Sequence, residues 1–214
     1  MKHILKKYSK LLILIIFYIS VVFIVTKTNY AKETEKKICI FPIGYIEEDV
    51  LLHTRKELED EFNLQVVIEE AVEYSNYAYS KKRKQHSSTQ ILEKIDKLKP
   101  PECGNALGIV DVDLYVPELT FVFGEADIKK QVAVISLTRL RQGFDNLPED
   151  TILFKERIIT EAVHELGHTY GVRHCANKNC VMFFSSTLGD TDQKGPNFCN
   201  ICKKKLNRKR HSRE

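Results

Sequence analysis

From His164 to His174 the chain reads His-Glu-Leu-Gly-His-Thr-Tyr-Gly-Val-Arg-His, which gathers three imidazoles and a carboxylate in one short stretch. Positions four apart on an α-helix share a face about 6 Å apart, so His164 and His168 can grip one ion. Glu165 follows the first of them directly. Its carboxylate can stand beside the metal without binding it, accept a proton from an activated water and pass one to a leaving amine. Gly171 is predicted to stop the helix in a left-handed conformation, turning the chain so that His174 reaches the same ion from a loop. Three protein ligands leave a fourth position for water or a substrate carbonyl, which is the arrangement of a catalytic zinc; a structural site is closed by four protein groups. The chemistry this permits is hydrolysis of an amide. Five specified positions at ~5% each coincide by chance about once in three million positions, so the string is read as a site rather than as an amphipathic helix carrying stray histidines.

Directly behind the histidines lies a second set of donors. Cys175 and Cys180, then Cys199 and Cys202, form a C-x4-C…C-x2-C array. Four thiolates in two close pairs suit a tetrahedral structural zinc that fastens the loop after the active helix to the C-terminal segment. The cysteine count of six is even, so three disulfides are the competing arrangement in an oxidising compartment. The close pairing and the adjacency to His174 favour zinc. Cys39 and Cys103 fit buried free thiols or a bridge between them, and both readings stay open.

The elements that must position these groups follow from periodicity. Residues 38–43 read as a first strand, and residues 47–62 carry Val50, Leu51, Leu58 and Phe62 at helical spacing. Residues 64–68 suit a second strand, and Ile91, Leu92, Ile95 and Leu98 predict a helix that ends before Pro100-Pro101. Short strands are predicted at 106–110, 120–123 and 132–137, after which Pro148 and Asp150 introduce the helix with the histidines. The pattern is an α/β sandwich in one domain.

The string HELGHTYGVRHC, the C-x4-C-V-M that follows and the later C-x2-C resemble the archaemetzincin family, a metzincin branch with one catalytic and one structural zinc. The likeness extends upstream through Ile40-Phe41-Pro42-Ile43-Gly44, the stretches 108–115 and 121–126, and 134–140, covering roughly residues 38 to 202. It implies an α/β, metzincin-like zinc peptidase domain with a mixed sheet of about five strands and an active-site helix carrying HExxH. It also implies two Zn(2+) per chain: a catalytic one on His164, His168 and His174 with Glu165 as general base, and a structural one on Cys175, Cys180, Cys199 and Cys202. Met182 would form the Met-turn, an apolar floor beneath the histidines. The strand around Phe121 to Gly124 would lie at the sheet edge above the cleft and pair with an extended peptide or protein substrate.

One departure concerns the N-terminus. Members of that family are usually read as soluble intracellular proteins, yet Lys2, Lys6, Lys7 and Lys10 here precede an uncharged apolar run, residues 11–25. That run predicts an N-terminal hydrophobic helix serving as a cleaved signal or an uncleaved anchor. Lysines ahead of it put the catalytic domain on the non-cytoplasmic side of the membrane. The expected division is 1–31 signal or anchor with a linker, 32–205 metallopeptidase domain and 206–214 basic tail. Net charge is +4, with basic runs at 81–84 and 203–213. These are read as solvated charge, and nucleic acid is not expected as a partner. No oligomer is specified. The competing functional class is a non-catalytic, membrane-attached zinc-binding interaction module, against which the placement of Glu165 beside an open coordination position argues.

Overall fold

The structure is a computed structural model that describes residues 36–74 and 76–211, together with Tyr18. The described residues from 36 to 211 form one compact unit. Its central strand is β5 (Cys103–Val110), flanked by β1 (Lys37–Ile43), and every residue of both except Lys37 is buried. Near-continuous apolar runs of this kind are what a parallel sheet covered on both faces requires. With β2 (Val66–Ile68), β8 (Val132–Ser136) and β7 (Gly124–Asp127) they make a sheet of order β2-β1-β5-β8-β7. All neighbours are parallel except β7, which runs antiparallel to β8 and forms one edge.

Alternation along β1 sends side chains to two cores. Ile38 and Ile40 join Leu107, Ile109 and Ile135 beneath helix α1 (Glu48–Phe62) and the long helix that carries the histidines. Cys39, Phe41 and Ile43 join Val110, Val132 and Val134 against helix α2 (Ser88–Leu98). Cys39 and Cys103 are joined by a disulfide between adjacent strands, which resolves the alternative left open by the sequence. A small second sheet of β3 (Tyr79–Ser80), β4 (Gln85–Ser87) and β6 (Leu114–Tyr115) stands beside the main one.

The histidine helix, α3 (Thr151–Thr169), starts where the Asp150 carboxylate accepts from the backbone N–H groups of Ile152 and Leu153 at 3.0 Å each. It stops before Gly171, whose φ of +83° is the left-handed turn expected of that glycine. Asn105 on β5 donates to Thr169 at 2.6 Å and ties the end of α3 to the sheet. Beyond it lie helix α4 (Leu188–Lys194) and helix α5 (Asn200–His211).

Three expectations are corrected. The segment predicted as a strand at 120–123 is irregular: Val122 makes an isolated bridge to Leu114, and regular pairing begins only at Gly124. Side-chain contacts hold it instead. Arg83 donates to the carbonyls of Leu119 and Thr120, Gln85 to that of Thr120, and the Arg139 guanidinium covers the Phe121 ring at 4.1 Å. Arg83 is therefore a brace and not part of a solvated charge run. The tail boundary placed at residue 206 falls inside α5, where Leu206 is buried and Lys203 and Arg210 donate to the carbonyls of Glu61 and Phe62 at the C-terminal end of α1.

The expectation of a membrane-anchored or exported protein, with its catalytic domain on the non-cytoplasmic side, is also corrected. No helix among the described residues is long and apolar enough to cross a membrane. The longest of them, α3, carries Lys155, Glu156, Arg157, Glu161 and Glu165 and packs into the core. The N-terminal hydrophobic helix and the 1–31 segment lie, Tyr18 apart, outside the described residues.

Candidate metal centres and active-site cleft

His164, His168 and His174 converge. The Nε2 atoms of His164 and His168 are 3.1 Å apart, and those of His168 and His174 are 3.2 Å apart. Backbone carbonyls fix which nitrogen faces inward: Nδ1 of His164 lies 2.6 Å from Val181 O, and Nδ1 of His168 lies 2.8 Å from Val172 O. A carbonyl only accepts, so both Nδ1 atoms carry the proton and both Nε2 atoms present lone pairs to the same point. Lone pairs packed so closely repel unless a cation lies between them. A tetrahedral zinc with Zn–N of 2.0–2.1 Å sets its nitrogens about 3.3 Å apart, so the donor set fits that ion. No fourth His, Cys, Asp or Glu among the described residues joins the cluster.

Burial, with the positive Lys194 and the neighbouring imidazoles, holds the proton affinity of these rings down. His164 lies well below the ordinary histidine range, His168 falls to about 4, and His174 is lowered less. They are neutral near pH 7, the form a metal requires. Glu165 is 6% exposed, and burial pushes its carboxyl well up in the metal-free protein, with Glu161 and Glu125 adding to the effect and Lys194 opposing it.

Glu165 is held by the sheet edge. A Cβ on Gly124 would lie 2.6 Å from Glu165 Cγ and 2.7 Å from the carbonyl oxygen of Val134, so only glycine lets β7 lie flat against the carboxylate. Gly124→Ala should displace Glu165 while leaving the metal donors alone. The expected result is a loss of turnover of about 10²-fold at unchanged zinc content, measured by peptidase kinetics and metal analysis. Met182 is buried beneath the same helix, against Gly167, where a Cβ would meet its sulfur at 2.6 Å.

The second cluster brings Cys175, Cys180, Cys199 and Cys202 together, with all four Sγ atoms within 4.8 Å of one another. The Sγ atoms of Cys175 and Cys199 are 3.9 Å apart, against about 3.8 Å for two thiolates on one tetrahedral zinc with Zn–S of 2.3 Å. The Cys199 N–H donates to Cys180 Sγ at 3.3 Å. Hydrogen bonds, led by the one from the Cys202 backbone, bring the Cys199 thiol down to about 7, while burial raises Cys180 and Cys202. The cluster joins the loop after His174 to the first turn of α5. None of its sulfurs is disulfide-bonded.

A cleft of about 420 Å³ opens on the histidines. One wall is the sheet-edge segment 119–125; the other is 184–186, just after Met182. Its floor includes two charged residues that local pattern did not single out. Glu161 stands one helical turn before Glu165, a spacing that could have flagged it as sharing the site's face; Lys194 carries no local signal. Their ion pair spans 3.0 Å and is almost wholly buried. Glu125, on the wall, is held by the hydroxyls of Ser88 and Thr89 at the start of α2.

Residues 47–208 match peptidase family M54. An archaemetzincin of Methanocaldococcus jannaschii is 38% identical over 170 residues, 79% of this chain and 92% of that protein. One of Methanopyrus kandleri is 44% identical over 132 residues, 62% of this chain and 71% of its own length. The crystal structure of the Methanopyrus kandleri archaemetzincin superposes with a TM-score of 0.70 at 34% identity, covering 82% of this chain and 96% of that one. That of Archaeoglobus fulgidus, solved with malonate, gives 0.69 at 37% identity over 79% and 99% of the two chains. Nothing in these matches supports a membrane attachment.

Proposed function

Because the chain belongs to peptidase family M54, the archaemetzincins, we propose that it is a zinc metallopeptidase that hydrolyses peptide bonds in the cleft over His164, His168 and His174. The observation that carries this reading is the convergence of three Nε2 atoms at 3.1 and 3.2 Å beside a buried carboxylate that is not itself part of the cluster. Zinc bound there would act as a Lewis acid toward a carbonyl and lower the pKa of water toward ~7.

The chain's own groups do the rest. Val181 O and Val172 O lock the tautomers of His164 and His168, so that both rings are aimed before any ligand arrives. Glu165, buried beside the cluster and not part of it, takes a proton from the attacking water and returns it to the departing amine. The outer edge of β7 and the segment before it offer main-chain groups to an extended peptide along the cleft wall. Met182 packs beneath α3 as the apolar floor of the three-histidine site. Cys175, Cys180, Cys199 and Cys202 hold a second, structural zinc that fixes His174 through its neighbour Cys175. On this reading the metallopeptidase domain begins near residue 32 and runs on through α5.

The reading is tested by digesting a mixed peptide library with the zinc-loaded chain, using the chelated protein as control. Hydroxamate-sensitive cleavage that returns with zinc is expected. A zinc-replete protein that cuts no peptide would reject the activity in favour of a zinc-binding module.

A further inference from the structure

The ion pair on the cleft floor is chemically unfinished. Glu161, 3% exposed, receives Lys194 Nζ at 3.0 Å and the Thr191 hydroxyl at 3.0 Å, both on Oε1. Its Oε2 meets no donor among the described residues, and the residue lines the cleft. Lys194 Nζ also lies 3.4 Å from Phe183 O and 3.3 Å from His164 Nδ1. The latter nitrogen already donates to Val181 O, so it cannot accept, and one ammonium N–H is left without an acceptor. The wall adds a third orphan: the Ser185 hydroxyl is buried with no hydrogen-bond partner and faces the same cleft. The segment bearing these groups is fixed in place, because Arg157 on α3 clamps Asp192 on α4 with two bonds of 2.7 and 2.8 Å.

We infer that Glu161, Lys194 and Ser185 form a subsite that takes a neutral hydrogen-bonding side chain, a carboxamide or a hydroxyl, next to the scissile bond. This deepens the peptidase reading and rests on it for the meaning of the cleft. The floor offers one acceptor and one donor at zero net charge, and a carboxamide presents the complementary donor and acceptor. A hydrocarbon side chain would cover both groups and leave them unpaired. A carboxylate or an ammonium would lose its water against a pair that is already neutralised. A site built to hydrogen-bond its ligand rejects the analogue lacking those groups far more strongly than an apolar pocket rejects a size change.

The test is calorimetric titration of the zinc-loaded full chain with four peptidyl hydroxamates that differ only in one side chain: Gln, Leu, Glu or Lys. The Gln compound should bind about 10²- to 10³-fold tighter than each of the others. The double variant Glu161→Leu/Lys194→Met, which removes both charges together, should reverse the order in favour of Leu, and Ser185→Ala should narrow the preference for Gln. Equal affinities in the wild type, no binding by any of the four, or an unchanged order in the double variant would overturn the subsite. The wild-type ranking decides alone if the double variant does not fold. A Gln-led ranking without cleavage of any library peptide would keep the subsite and remove the peptidase; cleavage without a ranking would do the reverse.

Discussion

Glu165→Gln should lower kcat by about 10³-fold and leave both metals in place. A general base contributes roughly 10² to 10⁴-fold, and glutamine keeps the shape and the hydrogen-bonding reach of the side chain while losing its ability to take a proton. The substitution should not unfold the protein. Glu165 is buried but lies outside the cluster of metal donors, and glutamine fills the same space. Thermal unfolding close to the wild-type temperature is expected alongside the lost turnover. Paired measurement of kcat, zinc per chain and Tm separates this from a folding defect: activity within a few-fold of wild type removes Glu165 from its role, and lost zinc makes it a ligand rather than a base.

Cys180→Ser should cost the domain its fold. Cys180 is fully buried, its thiol is pushed up by burial, and its sulfur accepts the N–H of Cys199 from the opposite arm of the cluster. Structural zinc in small domains is worth roughly 10 kcal/mol or more, which is comparable to the whole stability of about 5–15 kcal/mol that an ordinary domain has. Serine is a poor ligand for zinc, and the arms 175–182 and 199–202 would lose the ion that joins them. The variant should lose one zinc and unfold well below the wild-type temperature, with cleavage falling because His174 is next to Cys175. A variant with wild-type Tm and about one zinc per chain would show that the cluster is not structural. Full metal content would show that Cys180 is not a ligand.

Local pattern carried most of what positions the site. The buried runs of β1 and β5, the N-cap at Asp150 and the turn at Gly171 are local devices whose physics is written within a few residues. The donors were legible for the same reason, since the helical spacing of His164 and His168 already puts them on one face. The wall segment was misplaced because Phe121 and Phe123 alternate like a strand, whereas its conformation is set by distant Arg83, Gln85 and Arg139. Lys194 was invisible for a related reason. Its partner Glu161 lies on another helix, and a lysine in a polar stretch reads as surface until tertiary contact buries it. The basic tail, too, reads as solvated until α5 is seen to lay Lys203 and Arg210 on the carbonyl end of α1. The disulfide between Cys39 and Cys103 depends on two strands far apart in sequence becoming neighbours in the sheet.

The central claim is an open three-histidine zinc beside a carboxylate that does not bind it. Anomalous scattering at the zinc edge from crystals of the metal-loaded protein tests it most directly. The account predicts two peaks: one about 2.1 Å from the Nε2 atoms of His164, His168 and His174 with no fourth protein ligand, and one about 2.3 Å from the four cysteine sulfurs. No peak at the histidines, or one there with Glu165 or another side chain closing the fourth position, would contradict it.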